Sequence, residues 1–270
     1  MVVQHNMQAV NTNRMLGQNV KAVQKASEKL SSGYKVNRAA DDAAGLSISE
    51  KMRNQIRGLN QAVKNSEDGI SLIQTAEGNL NEIHSILQRM GELATKAAND
   101  VNATEDRDTI NDELVQLKDE IDSIASKAQF NGTYLLNGST ASLKLQVGAN
   151  KGEDMTITLE QTDAAQLGVD SLSVADHDDA GTSMKAVTDA IKKVSATRSG
   201  LGAIQNRLEY TVNNLENYSE NLTSAESSIR DTDMATEMVN YSKNNILQQA
   251  AQSMLAQANQ SNQSVLSLLQ

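Results

Sequence analysis

A chain of 270 residues can form one large domain or two small ones, but this one has no Pro, Cys or Trp, a single Phe and only 2% aromatic residues, so a core built on bulky rings is excluded. The formal charge of −10 at pH 7, with no basic stripe, excludes a nucleic-acid partner, because nothing is present to replace the counterions of a phosphate backbone. No run of 18 or more apolar residues exists, so the sequence offers no membrane-spanning helix. What remains, Ala, Leu, Ile, Val and Met among Asn, Gln, Ser, Glu and Lys, is the palette of long helices packed side by side.

The N-terminal segment repeats Val2, Ala9, Leu16, Val23 and Leu30 every seven residues, with Asn6, Asn13 and Ser27 at the companion seam positions. Its start, MVVQHNMQAVNTN, lacks the basic region, apolar stretch and cleavage site of a secretory signal, so the residues alone predict a cytoplasmic chain. The stretch KLSSGYKVNRAADDAAGLSISEKM, residues 29–52, then interrupts the helix with turn formers and two adjacent acids. Gly33 and Gly45 allow unusual backbone angles, and Asp41 and Asp42 can cap the following helix or pair with Arg38. Two acids with no His or further carboxylates nearby make a poor cation cage, so capping is the stronger reading.

From Ile48 a seam of steps of three and four runs through Met52, Ile56, Leu59, Val63, Ile70, Ile73, Leu80, Ile83, Leu87, Met90 and Ala97. Sustained so far, the pattern predicts a coiled-coil helix of roughly 75 Å. NDVNATEDRD breaks it, with Thr104 the expected N-cap and Glu105 and Asp106 in the favoured first turn. A second seam follows at Ile110, Leu114, Leu117, Ile121, Ile124 and Ala128.

Two Asn-Gly pairs in FNGTYLLNG, and alternation at Leu143, Leu145, Val147 and at Met155, Ile157, Leu159, predict β-hairpins over about residues 129–160. Helix resumes near Ser183 with a seam at Val187, Ile191, Val194, Leu201, Ile204, Leu208, Leu215, Tyr218, Leu222, Ala225 and Ile229. The C-terminal segment carries a narrow stripe, Leu247, Ala251, Met254, Ala258, Val265 and Leu268 or Leu269, in a background of Gln, Asn and Ser. Both terminal segments have one thin apolar face, so they are expected to order by pairing with each other and with neighbouring copies of the chain. The predicted fold is mainly α, an elongated antiparallel coiled-coil bundle with a small β-hairpin element and paired N- and C-terminal helices.

No catalytic pattern emerges. His5, His84 and His177 are isolated, and no Ser/His/Asp order, zinc spacing, P-loop or dinucleotide glycine motif is present. His84 reads as an ordinary flank of the seam at Ile83. Asp176, His177, Asp178 and Asp179 come nearest to a metal cluster and read better as a solvated turn, so neither cofactor nor metal is expected.

Several motifs in order resemble the bacterial flagellin family. LSSGYKVNRAADDAAGLSISEKM is similar to its N-terminal signature, DGISLIQTAEGNLNEIHSILQRMGELA to the helix that follows, AQFNGTYLLNG to the start of the β element, and AQANQSNQSVLSLLQ to the C-terminus. Gly91 stands where the family commonly has a charged residue, Gln270 where Arg is frequent, and the variable outer domains are missing apart from a short loop near 170–183.

The resemblance implies a non-enzymatic subunit that self-assembles into the helical flagellar filament for motility. It implies an inner domain of residues 1–40 with 230–270, an outer rod of 41–229, and a spoke at 31–46 holding Gly33, Arg38, Asp41, Asp42 and Gly45. Its implied partners are many copies of itself, an export chaperone docking on Leu266, Leu268 and Leu269, and the filament cap and junction proteins. Export through the flagellum's own type III apparatus, without a cleaved signal, would place the chain outside the cell, which the absence of Cys suits. Polymerisation is expected to use Leu16, Val23, Leu30, Leu247, Met254, Leu268 and Leu269, and a strip at Ile86 and Leu93 beside the seam, the alternative for that strip being a broad seam within one molecule. LQRMGELATKAAN resembles the site bound by the Toll-like receptor that senses flagellin, with Arg89, Leu93 and Glu113 as matching contacts. A hook-filament junction protein and a cytoplasmic coiled-coil scaffold are the competing readings.

Overall fold

The computed structural model describes residues 6–267, and side chains as far as residue 261. In chain order come α1 (Met7–Ser32), α2 (Ala43–Ala97), α3 (Thr104–Lys127), β1 (Gln129–Phe130), β2 (Thr133–Tyr134), β3 (Ser142–Gln146), β4 (Asp154–Thr158), α4 (Ala164–Leu167), α5 (His177–Arg230) and α6 (Met234–Ser267). Two units form, one from Met1–Asn54 with Asn221–Gln270, the other from Gln55–Glu220. The boundary between them falls inside α2 and α5. The expected sites at Val2, Leu268 and Leu269 lie outside the described residues, as does the side chain of Leu266.

In the Gln55–Glu220 unit the seams predicted for α2, α3 and α5 form one core. α2 contributes Ile73, Ala76, Leu80, Ile83, Leu87, Met90 and Ala97, α3 contributes Ile110, Leu114, Ile121 and Ala125, and α5 contributes Val187, Ala190, Val194, Leu201 and Leu208. Steps of three and four keep these residues on one side of each helix, and each buried Leu or Ile stabilises the unit by about 1.5–3 kcal/mol. The α5 seam departs from expectation at Tyr218, which is exposed, because the next inward position is taken by Ser219, whose hydroxyl donates to Asn60 Oδ1 at 3.0 Å.

The β region closes one end of this core. β1 and β2 pair antiparallel across Asn131 and Gly132, both at positive φ, which is the geometry a two-residue primed turn demands and Asn-Gly supplies. β3 and β4 pair with Leu143 opposite Ile157 and Leu145 opposite Met155, so the two alternations predicted from sequence share one inward face. Glycines on α2 let this hairpin lie close. A Cβ at Gly69 would collide with the Leu145 side chain, a Cβ at Gly58 would come within 2.9 Å of Ala149 Cβ, and Asn65 Nδ2 donates to the Gln146 carbonyl at 3.1 Å.

Two helix starts differ from the sequence reading. Thr104 is the first helical residue of α3 and Ala103 the cap position. Asp106 secures the turn there by accepting from the Ala103 N–H at 3.2 Å. α5 begins at His177 and not near Ser183, so the acids expected in a solvated turn sit in the first helical turn, where Asp178 and Asp179 complement the helix dipole. His177 Nδ1 donates to the Ala98 carbonyl at 2.6 Å, and the buried Ser183 hydroxyl donates to the Ser173 carbonyl at 2.7 Å. These bonds hold the short segment between α4 and α5 against the ends of the helices. Among the described residues no group of His, Asp or Glu is placed to hold a metal ion.

In the other unit α1 and α6 pack on each other. On α1 the inner positions are Ala9, Thr12, Leu16, Asn19, Val23, Ala26 and Leu30, a heptad pattern, and the expected companions Asn13 and Ser27 are exposed. On α6 they are Tyr241, Asn244, Gln248, Ala251, Leu255 and Ala258. The expected C-terminal stripe is therefore split: Ala251 and Ala258 face α1, while Leu247 and Met254 face outward. Small and amide side chains share these inner positions with Leu16, Val23, Leu30 and Leu255, so the seam is only partly apolar.

Candidate functional site

The candidate surfaces follow from three local arrangements. The first is the outer face of the α1–α6 pair. Asn6 caps α1 by accepting from Ala9 N at 3.0 Å and reaches across to donate to the Ala258 carbonyl at 2.9 Å. With Thr12, Asn19, Asn244 and Gln248 among the seam residues, several large apolar groups of α6 are left outside, among them Ile246 at 66% exposure and Val239 at 68%. Met7, Val10 and Met15 are exposed on α1 in the same way. Leu16, Val23 and Leu30, expected at polymer contacts, are half-buried in the α1–α6 seam.

The second arrangement is the loop between α1 and α2. Gly33 ends α1 at φ +76°, a left-handed conformation that costs a residue with a Cβ, and its N–H caps the Lys29 carbonyl at 2.8 Å. The chain then pairs with the α5–α6 junction: Lys35 N donates to the Arg230 carbonyl at 2.6 Å and Thr232 N to the Gly33 carbonyl at 3.0 Å. Arg230 completes the clamp, its guanidinium 4.5 Å from the centre of the Tyr34 ring and 2.9 Å from Glu50. The sequence carries no signal for this clamp, because Tyr34 and Glu50 are far from Arg230 along the chain and only Glu226, 3.9 Å away, is a local partner.

Within that loop the predicted residues divide their roles. Asp42 caps α2 by accepting from Gly45 N at 2.9 Å. Asp41 pairs with Lys25 at 2.8 Å and accepts from the backbone N–H of Asn37 and Arg38. Arg38 turns away from both acids to Glu28 at 2.9 Å, since backbone N–H groups and Lys25 already occupy Asp41. Gly45 adopts no unusual backbone angle. It is needed because a Cβ there would collide with the capping Asp42 carboxylate.

The electrostatics of this loop are carboxylate-centred. Lys25 and the backbone hold the Asp41 carboxyl below its ordinary range, Arg230 does the same for Glu50, and the Thr236 N–H and hydroxyl do so for Asp233 at the start of α6. Each therefore titrates lower folded than unfolded, where Asp sits near 3.9 and Glu near 4.3. The stabilisation is complete above those values and is lost as pH falls through the depressed folded values. The expected result is that amide protection in the Met1–Asn54 and Asn221–Gln270 unit weakens below about pH 4 and stays constant across about pH 6–8. Protection unchanged down to about pH 3 would remove these contacts from its stability.

The third arrangement is the α2–α3 face. Arg89 Nε and NH2 donate to one Glu113 carboxylate oxygen at 3.1 and 2.9 Å, and NH1 donates to Glu92 at 3.3 Å. Arg89 and Glu113 are both part-exposed. Leu93, expected on an outward strip with Ile86, is only 3% exposed and belongs to the core, while Ile86 is half-buried against it. The reason is that α2 has two neighbours, α3 through Arg89–Glu113 and α5 through Arg198–Glu77, and a helix with two neighbours buries two adjacent strips. Gly91 faces α5, its absent Cβ lying 3.6 Å from Val187.

Comparison with known proteins agrees with this architecture. A family described as the bacterial flagellin N-terminal helical region matches residues 3–141, and one described as the bacterial flagellin C-terminal helical region matches residues 184–269. Flagellin from Halalkalibacterium halodurans is 54% identical over 271 residues, with 100% of both chains covered. Flagellin from Bacillus subtilis is 50% identical over 305 residues, again with 100% of both chains covered. The crystal structure of Bacillus cereus flagellin superposes with a TM-score of 0.52 at 35% identity, covering 56% of this chain and 88% of that one. A putative flagellar hook-associated protein from Vibrio parahaemolyticus gives a TM-score of 0.60 at 15% identity over 71% of this chain and 100% of that one, a likeness of fold alone. With both helical regions matched and relatives of half identity spanning its full length, this chain belongs to the bacterial flagellin family.

Proposed function

We propose that this structural subunit polymerises into the helical flagellar filament by burying the outer faces of α1 and α6 against other copies of itself. Residues 1–40 with 230–270 then serve as the inner domain and 41–229 as the outer one, joined by the spoke at 31–46. One observation carries the reading: the α1–α6 pair half-buries Leu16, Val23, Leu30 and Leu255 among small and amide residues and still presents Val239, Ile246, Leu247 and Met254 to solvent. A surface so apolar marks an interaction site, and contacts that repeat without closing generate a helical polymer. Replacing Ile246 with Asp is expected to abolish sedimentable filaments while leaving the monomer's thermal unfolding unchanged within about 0.5 kcal/mol, because the side chain is already solvated. Filaments of normal length from this variant would refute the surface assignment.

The filament lies outside the cell, and the same reading brings export through the flagellar type III apparatus without a cleaved signal, an export chaperone at the C-terminal segment, and the cap and junction proteins as partners. The family's Toll-like receptor is a further partner, engaged through Arg89 and Glu113. Their exposed, chelated geometry supports that role, while Leu93 supports the face from beneath. Arg89→Ala is expected to weaken receptor binding by about 2 kcal/mol, roughly thirtyfold, in a titration of monomer with receptor ectodomain. Equal affinity would take Arg89 out of the contact.

A further inference from the structure

We propose that the methionines on the outer faces of α1 and α6 form a peroxide-sensitive modification site whose oxidation blocks assembly. The proposal rests on the assembly reading above. Met7, Met15, Met234, Met238 and Met254 are between 45% and 71% exposed, and all five lie on α1 or α6. Elsewhere Met90 and Met155 are buried, and Met52 and Met184 are half-buried. Among the described residues, the most exposed thioethers are thus collected on α1 and α6, whose outer faces also leave several large apolar groups in water. The chain has no Cys, so no thiol competes for the oxidant.

The chemistry is a two-electron oxidation by a hydroperoxide. The thioether sulfur attacks the distal peroxide oxygen, an S–O bond forms as the O–O bond breaks, and the transferred oxygen's proton passes to the departing oxygen, which leaves as water when the oxidant is hydrogen peroxide. Sulfur gives up the electron pair and the peroxide is reduced. The sulfoxide is polar and accepts hydrogen bonds, so in the free subunit it stays hydrated and harmless. In a subunit contact it would have to give up that hydration beside apolar groups such as Val239 and Leu247, which is unfavourable. Its neighbours make that consequence concrete: Met238 stands one turn from Met234 and next to Val239, and Met254 stands two turns from Leu247, all of them exposed.

The test treats purified monomer with hydrogen peroxide, maps sulfoxide by peptide mass spectrometry, and follows seeded polymer growth. Sulfoxide is expected at the five exposed methionines before Met90 and Met155, with growth slowed by about tenfold or more. Methionine sulfoxide reductase should restore growth of the wild-type chain, and a variant carrying Leu at all five positions should grow equally with and without peroxide. Undiminished growth of the oxidised wild-type monomer, or failure of the reductase to restore it, overturns the proposal. Preformed polymer is the second arm. If the five methionines there oxidise as fast as in the monomer, the assembly reading itself fails. If they are protected while oxidised monomer still grows normally, only this proposal fails.

Discussion

Removing residues 234–270 eliminates polymerisation and leaves the Gln55–Glu220 unit folded. The expectation follows from where each unit keeps its apolar area. The core of that unit is closed by α2, α3, α5 and the hairpins, with Ile73, Leu80, Ile83, Leu87, Leu114, Ile121 and Leu208 essentially inaccessible to water. None of those residues lies on α6. α1, by contrast, has α6 as its packing partner, and a seam containing Thr12 and Asn19 gives an isolated helix little to remain ordered by. Sedimentation should therefore find no polymer, while hydrogen exchange finds α1 unprotected and the α2–α3–α5 core as protected as in the full chain. Loss of protection throughout the core would show that the two units fold as one.

Leu93→Ala lowers the monomer's stability by about 2–5 kcal/mol, and Leu93→Asp by more, before any effect on assembly is considered. Periodicity alone puts this residue on an outward strip, where a charge would weaken the polymer more than the monomer. Its burial beside Ile86, under the Arg89–Glu113 bridge, changes the expected outcome. Urea unfolding of the monomer reads the difference directly: a midpoint unchanged by either substitution would return Leu93 to the surface. Arg89→Ala removes only a part-exposed ion pair and is expected to shift the same midpoint by about 1 kcal/mol or less.

These cases show where the sequence was informative. Positions such as Ile83, Leu87 and Met90 are large, apolar and regularly spaced, so the buried side of α2 could be read directly, and Asn131-Gly132 announced its turn because few other pairs tolerate two positive φ angles. Leu93 was misplaced because spacing gives the width of an apolar stripe but not the number of neighbours that cover it. On α6 the failure has the opposite cause. Tyr241, Asn244 and Gln248 face α1 while Ile246 and Leu247 face water, so a rule that sends large apolar groups inward selects the wrong side of this part of α6. The spoke was legible as a loop from its Gly and Asp residues, and Asp42 as a cap three residues before Gly45 N. Its attachment to Arg230 and Tyr34, and the turn of Arg38 to Glu28, depend on contacts distant in sequence that no local pattern records.

The central claim is that the outward face of α6 is the surface buried on assembly. Because the chain contains no Cys, a single cysteine reports on one position without background. Ile246→Cys is placed on the exposed face and Ala258→Cys in the seam, and the rate of reaction with a soluble thiol reagent is compared in monomer and in sedimented polymer. The account predicts that Cys at position 246 reacts freely in the monomer and at least about tenfold more slowly in the polymer, while position 258 is slow in both. Equal reactivity of position 246 in the two states would contradict it.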